Sequence, residues 1–429
     1  MDFNHSHQAI ALRNRLQAFM DRFVLPYNAA WHHSVRSGVF PPPFMEDLKS
    51  LAREEGLWNL FLPGLRESEP GTRVSNLDYA PLAETMGRIP WAAEVFNCSA
   101  PDTGNIELLH RFATPDQAER WLTPLLEGRI RSAFAMSEPD VASSDPTNLQ
   151  TTVRRVDSQL VLNGRKWFIT GAAHPDCRLL VVMARSDDDE LPDAESHAKH
   201  SMVLVPLDTP GVQVVRNIAM LHHESPEGHC EIVLRDVRVP AGNLLGAWGE
   251  GFRMAQARLG PGRMHHCMRT IGQCELALEL AGERVLERKA FGKYLSDFSN
   301  IQEWIALSRI EIDQARLLVL HAAWMLDQPN PDTSRLRSEV AAIKVVAARL
   351  QTRVVDRAMQ IFGAMGLSPD TPLAWFWSWG RALQLMDGPD EVHLRTVARH
   401  ELARARERMG TGSAYFTTPE QLEAAPRLR

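Results

Sequence analysis

The sequence predicts a mainly α protein with a central β-domain: a helical N-terminal domain over residues 1–130, an antiparallel, barrel-like middle domain over 131–242 and a C-terminal four-helix bundle over 243–429. Three observations carry this expectation. Apolar residues recur at helical spacing through the first and last parts of the chain. Short β-rich runs fill the middle. Turn residues separate those runs rather than the capping signals of helices.

Taken in order, helices are expected around 10–23, 44–57 and 77–86, where apolar positions follow one face. Thr114-Pro115-Asp116 opens another, with Thr114 as N-cap and Pro115 at the first helical position. The strands are TTVRRV (151–156), QLVLN (159–163), RKWFIT (165–170), RLLVVMA (178–184), SMVLVPL (201–207) and CEIVLRDVRV (230–239). Asn163-Gly164 between two of them reads as a hairpin turn. The acidic insert SDDDELPDAESHAKH (186–200) reads as a solvated loop. Beyond 243, Cys274, Ala277, Leu278, Ala281 and Val285 share one helix face. Ile343, Val346, Ala347, Leu350, Val354, Ala358 and Ile361 share another. Ser299-x-x-Gln302 suggests a capping box, and a further helix starts at Pro389.

A chain of 429 residues has room for two or three domains and a core that needs no metal or disulfide to stabilise it. With 44% hydrophobic and 23% charged residues, the composition is that of an ordinary globular protein. A net charge of −6 argues against nucleic acid as a partner, but not against an anionic ligand held by local amides and arginines. No run of eighteen apolar residues offers a membrane span, and the N-terminus lacks the pattern of a secretory signal. The five cysteines form no CxxC pair and suggest reduced thiols, hence a cytoplasmic protein.

No Walker loop or GxGxxG fingerprint stands in a strand–turn–helix context, so a dinucleotide would need another device. FAMSEPDVASSD (134–145) and KWFITGA (166–172) place Ser137, Ser144 and Thr170 on loops beside strands, where hydroxyls can bond flavin or phosphate oxygens. MDGPDEVH (386–393) sets Asp387 just ahead of a Gly-Pro helix start. His222, His223, His229 and Cys230 cluster in HHESPEGHC, but their spacing fits no standard zinc pattern, and no metal is expected. WFWSW (375–379) reads as core or subunit interface, and His265-His266 as structural.

These segments, with ERKAFGK (287–293), QIFGAMG (360–366), the Asp208–Val212 turn and Arg238-Val239-Pro240, resemble the acyl-CoA dehydrogenase family in order and spacing over roughly 40–410. The resemblance implies FAD held between the β-domain and the helical bundle. It places Phe134, Met136 and Ser137 on the isoalloxazine, Ser144 by the pyrophosphate and against substrate, and Thr170 in hydrogen bond with the flavin. Phe168 stands where the family usually has a stacking Trp, and Trp167 beside it is the alternative. Arg288, Phe291, Gln360 and Gly363 would reach the FAD of a neighbouring subunit, and Pro389 and Glu391 would complete the site. Such sharing implies a homodimer or homotetramer.

The same resemblance makes Asp387 the base for the α-proton, in an Asp-type variant of a motif that usually carries Glu. The change shortens the side chain by one carbon–carbon bond, about 1.5 Å. A helix N-terminus would lower its pKa, while burial and the nearby Asp390 and Glu391 would raise it. A net rise is expected on substrate binding, as a base near neutral pH requires. Arg263 in LGPGR would orient the carboxylate or the thioester, and His229 would border the substrate entrance. The implied reaction is α,β-dehydrogenation of an acyl-CoA to the trans-2-enoyl-CoA, with an electron-transfer flavoprotein as electron acceptor. Two rival readings are a non-catalytic acyl-CoA- or flavin-binding subunit of a mixed oligomer, and a flavin oxidase on the same fold. Retention of a carboxylate at 387 opposes the first; the lack of a long extra C-terminal domain opposes the second.

Overall fold

The computed structural model describes residues 5–186 and 196–423. Helices come first: α1 (His7–Phe19), α2 (Asn28–Arg36), α3 (Met45–Glu54), α4 (Asn76–Gly87), α5 (Ala92–Val95), α6 (Asp102–Phe112), α7 (Pro115–Gln117) and α8 (Thr123–Leu126). Thr114 caps α7 as expected. Its hydroxyl accepts from the Gln117 amide, and the Gln117 side chain accepts from the Thr114 amide, a reciprocal capping box.

The strands are β1 (Arg131–Ala135), β2 (Thr152–Val156), β3 (Gln159–Thr170), β4 (Cys177–Ser186), β5 (His200–Pro206), β6 (Val212–Asn217), β7 (His229–Pro240) and β8 (Leu244–Leu245). Among the described residues they form one sheet in the order β6-β7-β3-β2-β4-β5-β8, with β1 also against β4. The pairings β1·β4 and β2·β4 are parallel. The middle domain is therefore a mixed sheet with β6 and β8 at its ends, not a closed antiparallel barrel. The parallel pairs are joined by long crossovers that no tight turn could supply: 136–176 between β1 and β4, and 157–176, through β3, between β2 and β4. On β4, Leu180, Val182 and Ala184 enter one core cluster while Leu179, Val181 and Met183 enter another. Burial on both faces explains the continuous apolar run RLLVVMA.

Asn163-Gly164 is not a turn. β3 runs straight through it, and the hairpin turns at Asp157-Ser158, with Asp157 at φ 53°. Gly164 marks a register shift between β3 and β7, where a Cβ would lie 2.6 Å from the Thr151 Cα. The sequence signal was a bulge glycine admitting close backbone approach. Of the acidic insert, residues 187–195 lie outside the described residues.

Helices α9 (Gly251–Glu287), α10 (Ser299–Leu326), α11 (Thr333–Phe362), α12 (Leu373–Leu383) and α13 (Asp390–Glu407) form the C-terminal bundle, with α11 touching each of the other four. The expected face of α11 is buried except Val346, which stands 36% exposed. Ser299 is the first residue of α10 rather than its cap, and Gln302 Nε2 donates instead to the Ser296 carbonyl at 2.9 Å. Where α4 crosses α9, Gly87 faces the Arg269 backbone and Gly272 faces that of Glu84, leaving no room for a Cβ on either. Buried Arg131 pairs with Asp102 and, at 2.7 Å, with Glu94, tying the N-terminal helices to β1. No described helix is long and apolar enough to cross a membrane.

Candidate active site

A cavity of about 1830 Å³ opens where the N-terminal helices, the sheet and the bundle meet. It exceeds the roughly 300–1,000 Å³ of a typical single-ligand pocket, so it has room for two ligands side by side.

Its sheet-side wall is set by one buried lysine. Lys166 donates from Nζ to the Met136 carbonyl (2.9 Å), the Met183 carbonyl (2.7 Å) and Glu138 Oε1 (2.8 Å). The Glu138 carboxylate also accepts from the amides of Gln150 (2.6 Å) and Thr151 (3.0 Å), so both ends of the 136–151 loop are pinned. Burial pushes Lys166 down to about 8, against the pull of Glu138. The loop so fixed presents Met136, Ser137 and Ser144 to the cavity, next to Phe134 near the end of β1.

Beside it, β3 breaks register with β7 between Lys166 and Ile169, and Phe168 takes φ 52°. This bulge re-aims the phenyl ring, which is 42% exposed on the cavity wall. The Trp167 ring lies 4.9 Å away, edge-on, and Trp167 lines the cavity as well. Thr170 pairs with His229 across the β3–β7 ladder, and their side chains meet at 3.0 Å between Oγ1 and Nδ1.

The opposite wall belongs to α9 and the turn after α12. Arg258, Arg263, His266 and Arg269 recur at helical spacing and all face the cavity. Arg258 lies 4.1 Å over the Phe134 ring and donates from Nε to Asn105 Oδ1 at 2.8 Å. Asp387 follows α12 in left-handed backbone (φ 53°), with Gly388 at φ 98°. Two side chains hold that turn: the Asp387 carbonyl accepts from Arg263 Nε at 2.8 Å and from His393 Nε2 at 3.2 Å. Asp390 begins α13 and pairs with Arg349 at 2.8 Å.

The carboxyl of Asp387 stands 3.5 Å from His266 Nε2. Burial pushes its pKa up, but His266, Arg263, Arg258 and Lys344 outweigh it and hold the group below the ordinary aspartate value. The acidic neighbours Asp390 and Glu391 do not govern it, because Asp390 is neutralised by Arg349 and Glu391 points to solvent. Burial, then Arg269, pushes His266 down to about 4, so at neutral pH it is a neutral imidazole beside a carboxylate.

The structure thus gathers Phe134, Met136, Ser137, Ser144, Phe168, Thr170, His229, Arg263, Asp387 and Pro389 around one cavity. Arg288, Phe291, Gln360, Gly363 and Glu391 do not line it. Arg288 ends α9, Phe291 tips a small hairpin 98% exposed, and Gly363 (φ 64°) caps α11. Arg258, His266, Lys166, Trp375 and Trp379 were missed from sequence. A usable signal existed for two of them: a polar stripe at 258, 263, 266 and 269 on a helix otherwise buried among Met254, Leu259, Met264 and Cys267. The 375–379 run splits likewise, with Phe376 in the core and Trp375 and Trp379 on the cavity wall.

The residues fit a flavin. An exposed aromatic face, a rigid loop with two serine hydroxyls, and Thr170 surround a space larger than one substrate needs. Among the described residues, no group of three His, Cys, Asp or Glu side chains could hold a metal ion.

Models of the acyl-CoA dehydrogenase N-terminal, middle and C-terminal domains match residues 6–129, 133–237 and 249–402. The chain is 51% identical over 412 residues to a Mycobacterium tuberculosis protein named probable acyl-CoA dehydrogenase FadE2, covering 95% of this chain and 98% of the relative. It is 49% identical over 398 residues to mouse acyl-CoA dehydrogenase family member 10, covering 91% of this chain but 36% of that longer protein. It likewise spans about half, 51%, of the Gallus gallus family member 11. The Megasphaera elsdenii butyryl-CoA dehydrogenase structure superposes with a TM-score of 0.77 at 27% identity, covering 94% of this chain and all of that one.

Proposed function

The chain belongs to the acyl-CoA dehydrogenase family of FAD-binding oxidoreductases, and on that premise we propose that it desaturates a coenzyme A thioester between its α and β carbons. The observation that carries this reading is the Asp387 carboxylate, kept ionised in a cavity whose far wall is aromatic.

Phe134, Met136, Ser137, Phe168 and Thr170 would hold the isoalloxazine, with Ser144 at the pyrophosphate and Pro389 beside the catalytic turn; Glu391, turned to solvent, would take no part. FAD, when bound, supplies the acceptor for the β-hydride, and the product is the trans-2-enoyl thioester. Asp387 takes the α-proton on its carboxylate. Arg263 and His393 keep its backbone turned so that the carboxylate faces the cavity while its amide is free for the thioester oxygen. Ser144 and His229 border the substrate. Asp387, once shielded from water in a filled cleft, would gain proton affinity toward the value a base needs.

Arg288, Phe291, Gln360 and Gly363 complete the FAD site of a second copy, making the protein a homodimer or homotetramer. The 98% exposure of Phe291 supports this, since an apolar ring on a hairpin tip wants a partner. An electron-transfer flavoprotein takes the electrons onward. The five cysteines are free and buried, in keeping with a cytoplasmic location. Anaerobic titration of the flavin-loaded protein with straight, branched and hydroxylated acyl-CoAs tests the reading. One chain class should bleach the flavin band. A flavin that no thioester bleaches would leave a binding subunit as the better account.

A further inference from the structure

The buried imidazole of His229 is unused by the mechanism above except as a border to substrate. It starts β7, where the ladder places it opposite Thr170. Its backbone is fixed independently of that contact: the His229 amide donates to Asn217 Oδ1 at 2.7 Å, and Asn217 Nδ2 donates to the Ser225 carbonyl at 2.9 Å. The ring is 2% exposed, and burial alone pushes it down to about 4, so it is neutral at physiological pH. A neutral ring has one N–H to place. Among the described residues, Nε2 is buried with no partner, while Nδ1 lies 3.0 Å from Thr170 Oγ1.

A buried donor without an acceptor costs more than a bare lone pair, because unpaired N–H groups are the rarer of the two in folded proteins. That argument favours the tautomer with the proton on Nδ1, donated to Thr170 Oγ1. With that oxygen already accepting, its own O–H is left to point away from His229, into the cavity that Thr170 lines.

We propose that His229 is a positioning residue for the cofactor: its Nδ1–H fixes the Thr170 hydroxyl so that this hydroxyl donates to the bound flavin, and so sets the flavin's reduction potential. The inference rests on the reading of Thr170 as a flavin ligand given above.

The test is the midpoint potential and absorption spectrum of the bound flavin in the purified wild type, Thr170→Val, His229→Leu, His229→Asn and the Thr170→Val/His229→Leu double variant. Thr170→Val and His229→Leu should move the potential in the same direction, the double variant should match Thr170→Val, and Asn, whose amide N–H replaces Nδ1–H, should restore most of the wild-type value. If Thr170→Val shifts the potential and His229→Leu does not, or if the two shifts add, the inference is overturned and Thr170 remains a flavin ligand. If Thr170→Val itself changes neither potential nor spectrum, the flavin-ligand reading fails, and the role of His229 fails with it.

Discussion

Arg263 donates to the backbone carbonyl of Asp387 at 2.8 Å, not to its carboxylate. The arginine thereby does two separate things. It holds a non-glycine residue in left-handed backbone, a conformation that costs on the order of 1 kcal/mol. Its charge also acts on the carboxyl without occupying its oxygens, which stay available for a proton.

Arg263→Gln should therefore raise the pKa of Asp387, since a nearby cation is removed. In the free enzyme the carboxyl is held below the ordinary value, so kcat/KM should show no acid limb from this group above about pH 5. In Arg263→Gln that limb should move to higher pH, and the loosened turn should cost roughly 10²-fold in rate. A pH profile of kcat/KM for both proteins checks this. An unmoved acid limb in the variant would count against Arg263 as a tuning charge.

Three buried histidines make stability depend on pH. His229, His266 and His393 each titrate at about 4 in the fold, depressed first by burial, against 6.5 ordinarily. Between those values the unfolded chain binds protons that the folded chain refuses. Stability from these groups is complete above 6.5 and is lost as pH falls toward 4, by up to about 1.4 kcal/mol per pH unit for each. Thermal unfolding from pH 7.5 to 5 should show a falling midpoint, steepest below 6.5. A flat profile would mean that these rings are solvated.

The helix crossing of α4 and α9 has room for two glycines only. Gly272→Ala should overpack against the Glu84 backbone and lower stability by about 1–3 kcal/mol, whereas Gly282→Ala, with nothing near its Cβ position on the same helix, should be neutral or slightly stabilising. Paired melting curves decide it, and equal midpoints for the two variants would refute the packing argument.

If the cavity holds flavin as proposed, Phe168 rather than Trp167 should provide most of the stacking. Phe168 is the more exposed to the cavity and carries the strained backbone. Phe168→Ala should weaken flavin retention about tenfold, on the order of 1 kcal/mol, while Trp167→Phe should alter it little. Flavin release measured by fluorescence distinguishes them, and the reverse ranking would assign the stacking to Trp167.

Much of this was legible in the chain. Helix periodicity and the Thr114 cap gave the helical parts, because both are local effects. Two fold-level misses are not local. Asn163-Gly164 has the chemistry of a turn, and only the approach of Thr151, just ahead of β2, makes it a bulge. The parallel pairings of β4 join strands that are distant in the chain. At the site, Asp387 and the 134–145 loop stood out by pattern. His266 and Lys166 did not, since what makes each functional is a partner more than a hundred residues away or on another strand. Likewise the sequence neighbours Asp390 and Glu391 suggested repulsion on Asp387, whereas its spatial neighbours are basic.

The most direct test is the anaerobic rate of flavin reduction by an acyl-CoA that bleaches the wild type, compared in wild type and Asp387→Asn, both loaded with FAD. The amide matches the carboxylate in shape, so flavin and thioester should still bind while reduction slows by roughly 10²–10⁴-fold, the usual contribution of a general base. Reduction of Asp387→Asn at close to the wild-type rate would contradict the assignment of Asp387 as the residue that takes the α-proton.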